Sequence, residues 1–329
     1  MGNDHLMRKI IILLFASISI NVVASPNVEV YKSWVAYMAS DEMKGRKNGS
    51  DEIELVAHWI ASQFKNAGLS NAPGIVNYFQ SFQGRGINPY RNVIGFLEGS
   101  DAQKSHEYII ISAHYDHIGV SDGVVNNGAD DNASGVSALL GIAHHLKEMK
   151  PERSVLFIAW SGEEEGLLGS KHYVANPVLP LKNAVLNLNL EMVGHTEGLG
   201  KKQFWITGAK HSSLYDELKQ IGLESQWKVS PSPFPKMNLF VRSDNISLAI
   251  LETDEQKKII YGIPAHSIST WGREGHYHTP SDDIDGLDYD NLSQLVEVLS
   301  SMVVELAARS TVVEWREDSD VNFKHYSER

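Results

Sequence analysis

Along the chain, apolar positions switch between a helical period and runs that suit buried strands. Residues 27–70 read as helical. Val56, Ile60 and Phe64 share one face there, Ser50 and Asp51 are suited to cap the start, and Gly68 supplies a stop. The stretch holding Pro73, Gly74, Gly84 and Gly86 reads as loop. Strands are then predicted over Asn92–Leu97, the isoleucine-rich Tyr108–Ser112, Ser154–Trp160 and Ala184–Leu190. Between them, Val136, Leu139, Leu140 and Ala143 predict a helix over Ser134–Met149, and a last helix covers about Asn291–Ala308. This alternation predicts an α/β fold, a single domain with a central mixed, largely parallel sheet flanked by helices. Ligands of such sheets sit beyond the carboxyl ends of the strands. No repeat, low-complexity segment or linker divides the chain.

The first residues have a different pattern. Arg8 and Lys9 precede an apolar run, Ile10–Ile20, and the small residues Ala24 and Ser25 follow. That order is that of a secretory signal, with cleavage after Ala24. Residues 1–24 are therefore expected to be a signal peptide and 25–329 the catalytic domain, exported to the periplasm or beyond. The run is short for a permanent anchor, so no stable membrane association is expected after cleavage. The charged tail after Arg316 reads as loose.

Composition narrows the chemistry. A formal net charge of −12 disfavours nucleic acid and anionic membranes as partners. The absence of cysteine removes disulfides, thiolate nucleophiles and Cys-ligated zinc, and leaves His, Asp and Glu as metal donors. Trp227, Phe234, Phe240 and Trp271 suit either a pocket wall or plain core.

Four clusters fall at the ends of the predicted elements. His114 follows the strand Tyr108–Ser112, within Ala113-His114-Tyr115-Asp116-His117, where it suits a metal or a structural role; Asp116 is spaced to hold its other ring nitrogen. Gly128-Ala129-Asp130-Asp131-Asn132 precedes the helix from Ser134. Asp131 can bridge two ions there, or the segment can be an acidic helix start. Glu163-Glu164-Glu165 follow the strand ending at Trp160. They form either a solvated turn or a site where one Glu binds metal and its neighbour acts as general base. Tyr277-His278-Thr279-Pro280 offers a further imidazole, with His276 as competitor and an acidic residue of Ser281-Asp282-Asp283 placed to orient it. Glu191 ends the apolar strand Ala184–Leu190 and needs a partner, an ion or a salt bridge.

Taken in this order, the clusters resemble the M28 family of co-catalytic zinc peptidases, of the aminopeptidase Y and bacterial leucyl aminopeptidase type. The resemblance runs from Gly45-Arg46 through Asn92-Val93-Ile94-Gly95 to Tyr277-His278-Thr279-Pro280. It implies a zinc-dependent exopeptidase fold, two Zn2+ ions and peptide substrates with a free N-terminus. It further implies that His114 and Glu191 bind one ion, Glu164 and His278 the other, and that Asp131 bridges both, with a cis peptide between Asp131 and Asn132. Glu163 would be the general base to a bridging hydroxide, Asp116 would orient His114, and Tyr277 would donate to the developing oxyanion.

Two departures stand out. Glu191 stands where family members mostly carry Asp, and Leu248–Tyr261 is longer than usual, which bears on substrate preference. Manganese or cobalt suits the same donors. Glutaminyl cyclases, which use one catalytic zinc, and carboxypeptidases share much of the pattern. A non-catalytic binding homologue would have lost a ligand or the base, and none is missing.

Overall fold

The computed structural model describes residues 26–85, 88–253, 259–272 and 275–316. Nine strands form its main sheet: β1 (Ser70–Asn71), β2 (Phe79–Phe82), β3 (Tyr90–Leu97), β4 (Tyr108–His114), β5 (Ser154–Trp160), β6 (Ala184–Leu190), β7 (Gln203–Ile206), β8 (Lys228–Pro231) and β9 (Ala265–Ser269). Their order is β1-β3-β5-β4-β6-β9-β7-β8, with β2 paired to β3. The central run β5-β4-β6-β9 is parallel. Antiparallel pairs join β3 to β5 and β7 to β9, so the sheet is mixed, with parallel pairing at its centre. β2 lies in the stretch that the sequence presents as loop.

Alternation explains the two layers of helices. In β4, Ile109, Ile111 and Ala113 face one apolar layer, and Tyr108 and Ile110 the other. β5 divides likewise, with Val155, Phe157 and Ala159 opposite Leu156, Ile158 and Trp160. Strands apolar on both faces need cover on each. Helices α1 (Val28–Met38), α2 (Asp51–Asn66), α3 (Gly135–Met149), α5 (Leu214–Glu224) and α7 (Tyr289–Ala308) supply side chains to the first layer, and α4 (Leu168–Ala175) and α6 (Asn245–Ala249) cover the second. Ser50 caps α2 as expected, its hydroxyl accepting from the Ile53 amide at 3.2 Å.

Residues 27–70 are not one continuous helix. Between α1 and α2 a tight turn, Asp41–Arg46, passes beneath the loop after β4. Gly45 has φ 65°, and a Cβ there would lie 2.3 Å from the Asn126 carbonyl, so only glycine fits. The fully buried Arg46 donates to the carbonyls of Met38, Tyr115, Asn127 and Gly128 at 2.5–3.0 Å. It thereby clamps the two loops that carry His117 and Asp131. The segment Leu248–Tyr261 contains a hairpin pairing Ile250–Thr253 with Ile259–Tyr261. The expected signal segment and charged tail lie outside the described residues. Among the described residues, no helix is long and apolar enough to cross a membrane.

His266 on β9 is fully buried and neutral. Its Nδ1–H donates to the Thr207 carbonyl at 2.8 Å, and Nε2 accepts from the Ser212 hydroxyl at 2.7 Å, a tautomer assigned from these partners. Burial pulls its pKa down to about 4. An unfolded imidazole titrates near ~6.5. Between these values the unfolded chain binds more protons, so the stabilisation is complete above pH ~6.5 and shrinks as pH falls toward 4. Urea denaturation at pH 7 and pH 5 should show the wild type losing about 2 kcal/mol more than His266→Gln. Equal losses in both proteins would refute this.

Candidate metal centre

Because β4, β5 and β6 run parallel, their carboxyl ends open on one edge of the sheet. His114 is the last residue of β4, Glu163 and Glu164 follow β5 on a short turn, and Glu191 follows β6 directly. Asp131 lies in an irregular turn, Ala129–Ser134, that leads into α3 and contains a cis peptide between Asp131 and Asn132. His278 comes from the loop between β9 and α7.

These side chains meet in two groups that share Asp131. In one, His114 Nε2 lies 3.3 Å from Asp131 Oδ1 and 3.1 Å from Glu191 Oε1. In the other, His278 Nε2 lies 3.2 Å from Asp131 Oδ2 and 3.1 Å from Glu164 Oε1. The second group contains a residue that the sequence did not single out: His117, whose Nδ1 is 3.1 Å from Glu164 Oε1. His276, the competitor of His278, is turned away. It contacts the Ser281 hydroxyl and stacks on His195.

The surrounding bonds fix these positions differently from the sequence expectation. His114 Nδ1 is held by the Asp116 backbone carbonyl at 3.1 Å, while the Asp116 carboxylate is 3.9 Å away. That carboxylate accepts instead from the amides of Glu163 and Glu164, both at 3.2 Å, and from Asn48 at 2.6 Å, so it shapes the glutamate turn. Asp282 likewise does not orient His278. Its two oxygens accept from the amides of Asp130 and Asp131 at 2.7 and 3.0 Å. Glu191 Oε2 accepts from the Ser243 hydroxyl at 2.6 Å, and Ser243 accepts in turn from Asn189 on β6 at 2.8 Å. This chain of bonds seats the longer Glu side chain.

Electrostatics fit a cationic occupant. Burial works against a proton on His114, yet Glu191, Glu163 and Asp131 lift its pKa well above the ordinary imidazole range. Burial also opposes protonation of His278, but Asp131 and Glu164 push it up to about 10. Burial would raise Asp131, and the imidazoles of His114, His278 and His117 hold it well below the carboxylate range instead. Glu163 moves up, through burial first and then the charges of Glu191 and Glu164. Imidazoles and carboxylates thus favour each other's charged forms at this centre, and these donors suit divalent zinc, manganese or cobalt.

The centre forms the floor of a cavity of about 310 Å3. Its walls include Met192, Trp205, Met237, Leu239, Val241 and Trp271. Of the four aromatic candidates, Trp271 lines the cavity with Phe234 packed behind it, and Trp227 and Phe240 are core. Tyr277 stacks on His278 with ring centres 3.9 Å apart and also lines the space.

Residues 92–303 match the model of Peptidase family M28. The chain is 28% identical over 218 residues to aminopeptidase YwaD of Bacillus subtilis, covering 65% of this chain but 44% of that protein. It is 27% identical over 327 residues to the uncharacterized protein YfbL of Escherichia coli, covering 88% of this chain and 97% of that one. The fold superposes on BSAP, a zinc aminopeptidase from Bacillus subtilis, with a TM-score of 0.65 at 18% identity over 86% of this chain and 96% of that one. It superposes equally on Porphyromonas gingivalis glutaminyl cyclase, with TM-score 0.65 at 18% identity over 85% and 98% of the two chains. At that identity the two superpositions speak to the fold alone. The family match runs from β3 into α7 and takes in every residue of the metal centre, and this chain belongs to peptidase family M28.

Proposed function

We propose that the chain is an exported aminopeptidase that uses two zinc ions to remove N-terminal residues from peptides. The observation that carries this reading is Asp131, whose two oxygens belong to two donor groups. Glu163, outside both groups, lines the same cavity. His114, Asp131 and Glu191 would hold one ion, and Asp131, Glu164 and His278 the other. When bound, the ions supply Lewis acidity toward the scissile carbonyl and lower the pKa of water.

The rest is the work of side chains. Glu191 and the neighbouring carboxylates attract the free α-ammonium of the substrate. The apolar wall of Met192, Trp205, Leu239 and Trp271 receives the first side chain. Glu163 takes a proton from the attacking water and returns it to the leaving amine. Tyr277, its phenol kept protonated by partial burial and the nearby carboxylates, donates to the oxygen that gains charge. The charged, apolar and small residues at positions 8–25 support action outside the cytoplasm.

Leucyl p-nitroanilide and its N-acetyl form discriminate the readings. The free amine should be the better substrate by about 10–100-fold, the worth of a bond to a charged group. Chelation should abolish turnover and zinc should restore it. Equal turnover of the blocked substrate would sink the aminopeptidase assignment, and ring closure of N-terminal Gln without hydrolysis would identify a cyclase.

A further inference from the structure

We infer that His117 is a sixth metal ligand and that it makes the two metal positions unequal. The inference rests on the two-metal reading above. His117 Nδ1 faces the same two oxygens as His278 Nε2. The separations are 3.1 Å to Glu164 Oε1 and 3.9 Å to Asp131 Oδ2 for His117, against 3.1 and 3.2 Å for His278. Donors around a tetrahedral ion with bonds of ~2.0–2.2 Å stand about 3.3–3.6 Å apart. The four separations bracket that edge, so an ion shared by Glu164, Asp131 and His278 also faces the His117 lone pair.

The fold prepares this placement. His117 is 1% exposed. A Cβ on Gly128 would lie 2.6 Å from its ring, so Gly128 leaves the room that the imidazole fills. Arg46 holds the carbonyls of Tyr115 and Gly128 on either side of it. The rings of His117 and His278 stand 5.6 Å apart at 75°, approaching Glu164 from different directions. His117 Nε2 has no hydrogen-bond partner among the described residues.

The consequence is asymmetry. Four protein donors close the position of Asp131, Glu164, His278 and His117. The position of His114, Asp131 and Glu191 has three and stays open. Closed tetrahedral sites hold ions structurally, and open ones keep a place for water or substrate. The closed position should therefore fill first and empty last, and the open position should exchange.

Zinc titration of the metal-stripped full chain, read by competition with a chromophoric chelator, tests this. Two steps of different affinity are expected, with the tighter one weakened at least about tenfold in His117→Phe. In 15N-histidine-labelled wild type, the first equivalent of zinc should move the ring nitrogens of His117 and His278 before those of His114. This second measurement needs no variant to fold. A single affinity class unchanged in His117→Phe, or His117 signals that stay still while His278 moves, would overturn the sixth ligand and leave the two-metal reading standing. Failure of the wild type to take up zinc would overturn both.

Discussion

Glu163→Gln should retain the metal content of the wild type and lose about 10²–10⁴-fold in kcat/KM. Gln has nearly the same shape and keeps the hydrogen-bonding reach, but it cannot accept and return a proton. Glu163 contributes no donor to either ion group, so the substitution leaves the metal-binding side chains intact. The turn that carries it is held through the backbone. The Glu163 amide donates to Asp116 Oδ1, and the Glu163 carbonyl accepts from the amides of Gly166 and Leu167 at 2.9 and 3.0 Å. Neither tie involves the altered group. Elemental analysis and steady-state kinetics on the same preparation separate the two effects. Turnover within a few-fold of wild type would remove Glu163 from the role of base, and loss of metal would recast it as a ligand.

Asp131→Ala should have the opposite signature, with both ions weakened together and activity down by about 10³-fold or more. Each of its oxygens lies about one donor separation from a different imidazole, 3.3 Å to His114 and 3.2 Å to His278. No other residue belongs to both groups. Removal of His278 or of Glu191 should weaken one position, whereas removal of Asp131 disturbs two. Thermal melts with and without zinc provide a check beyond activity. Zinc that binds only the folded chain raises Tm, and the rise should nearly vanish in the variant. An undiminished rise would show that the ions do not share this carboxylate.

Much of the site was legible because it obeys a simple rule. His114, Glu164 and Glu191 end or closely follow strands whose boundaries hydrophobicity already marked, and parallel neighbours bring such ends to one edge. Other parts followed no local rule. His117 stands three residues after His114 in the same short cluster, and nothing in that spacing says that both imidazoles turn inward. Asp116 was expected to steer His114 by its carboxylate, but the backbone carbonyl does so and the carboxylate shapes the glutamate turn. Trp205 joins the cavity wall from β7, a strand with no evident signal.

By itself the sequence determined the central strands with their main helices, the donor types and the family resemblance, since all three are written in local pattern and motif. Only the tertiary structure decided which donors stand together. Glu164 and His278 are 114 positions apart yet 3.1 Å distant in space. That closeness depends on packed loops, on the Arg46 clamp and on Asp282 gripping the Asp130–Asp131 backbone. Local propensity acts over a few residues, whereas a metal centre is a meeting of segments remote in sequence. The choice of His278 over His276 was therefore made by the fold.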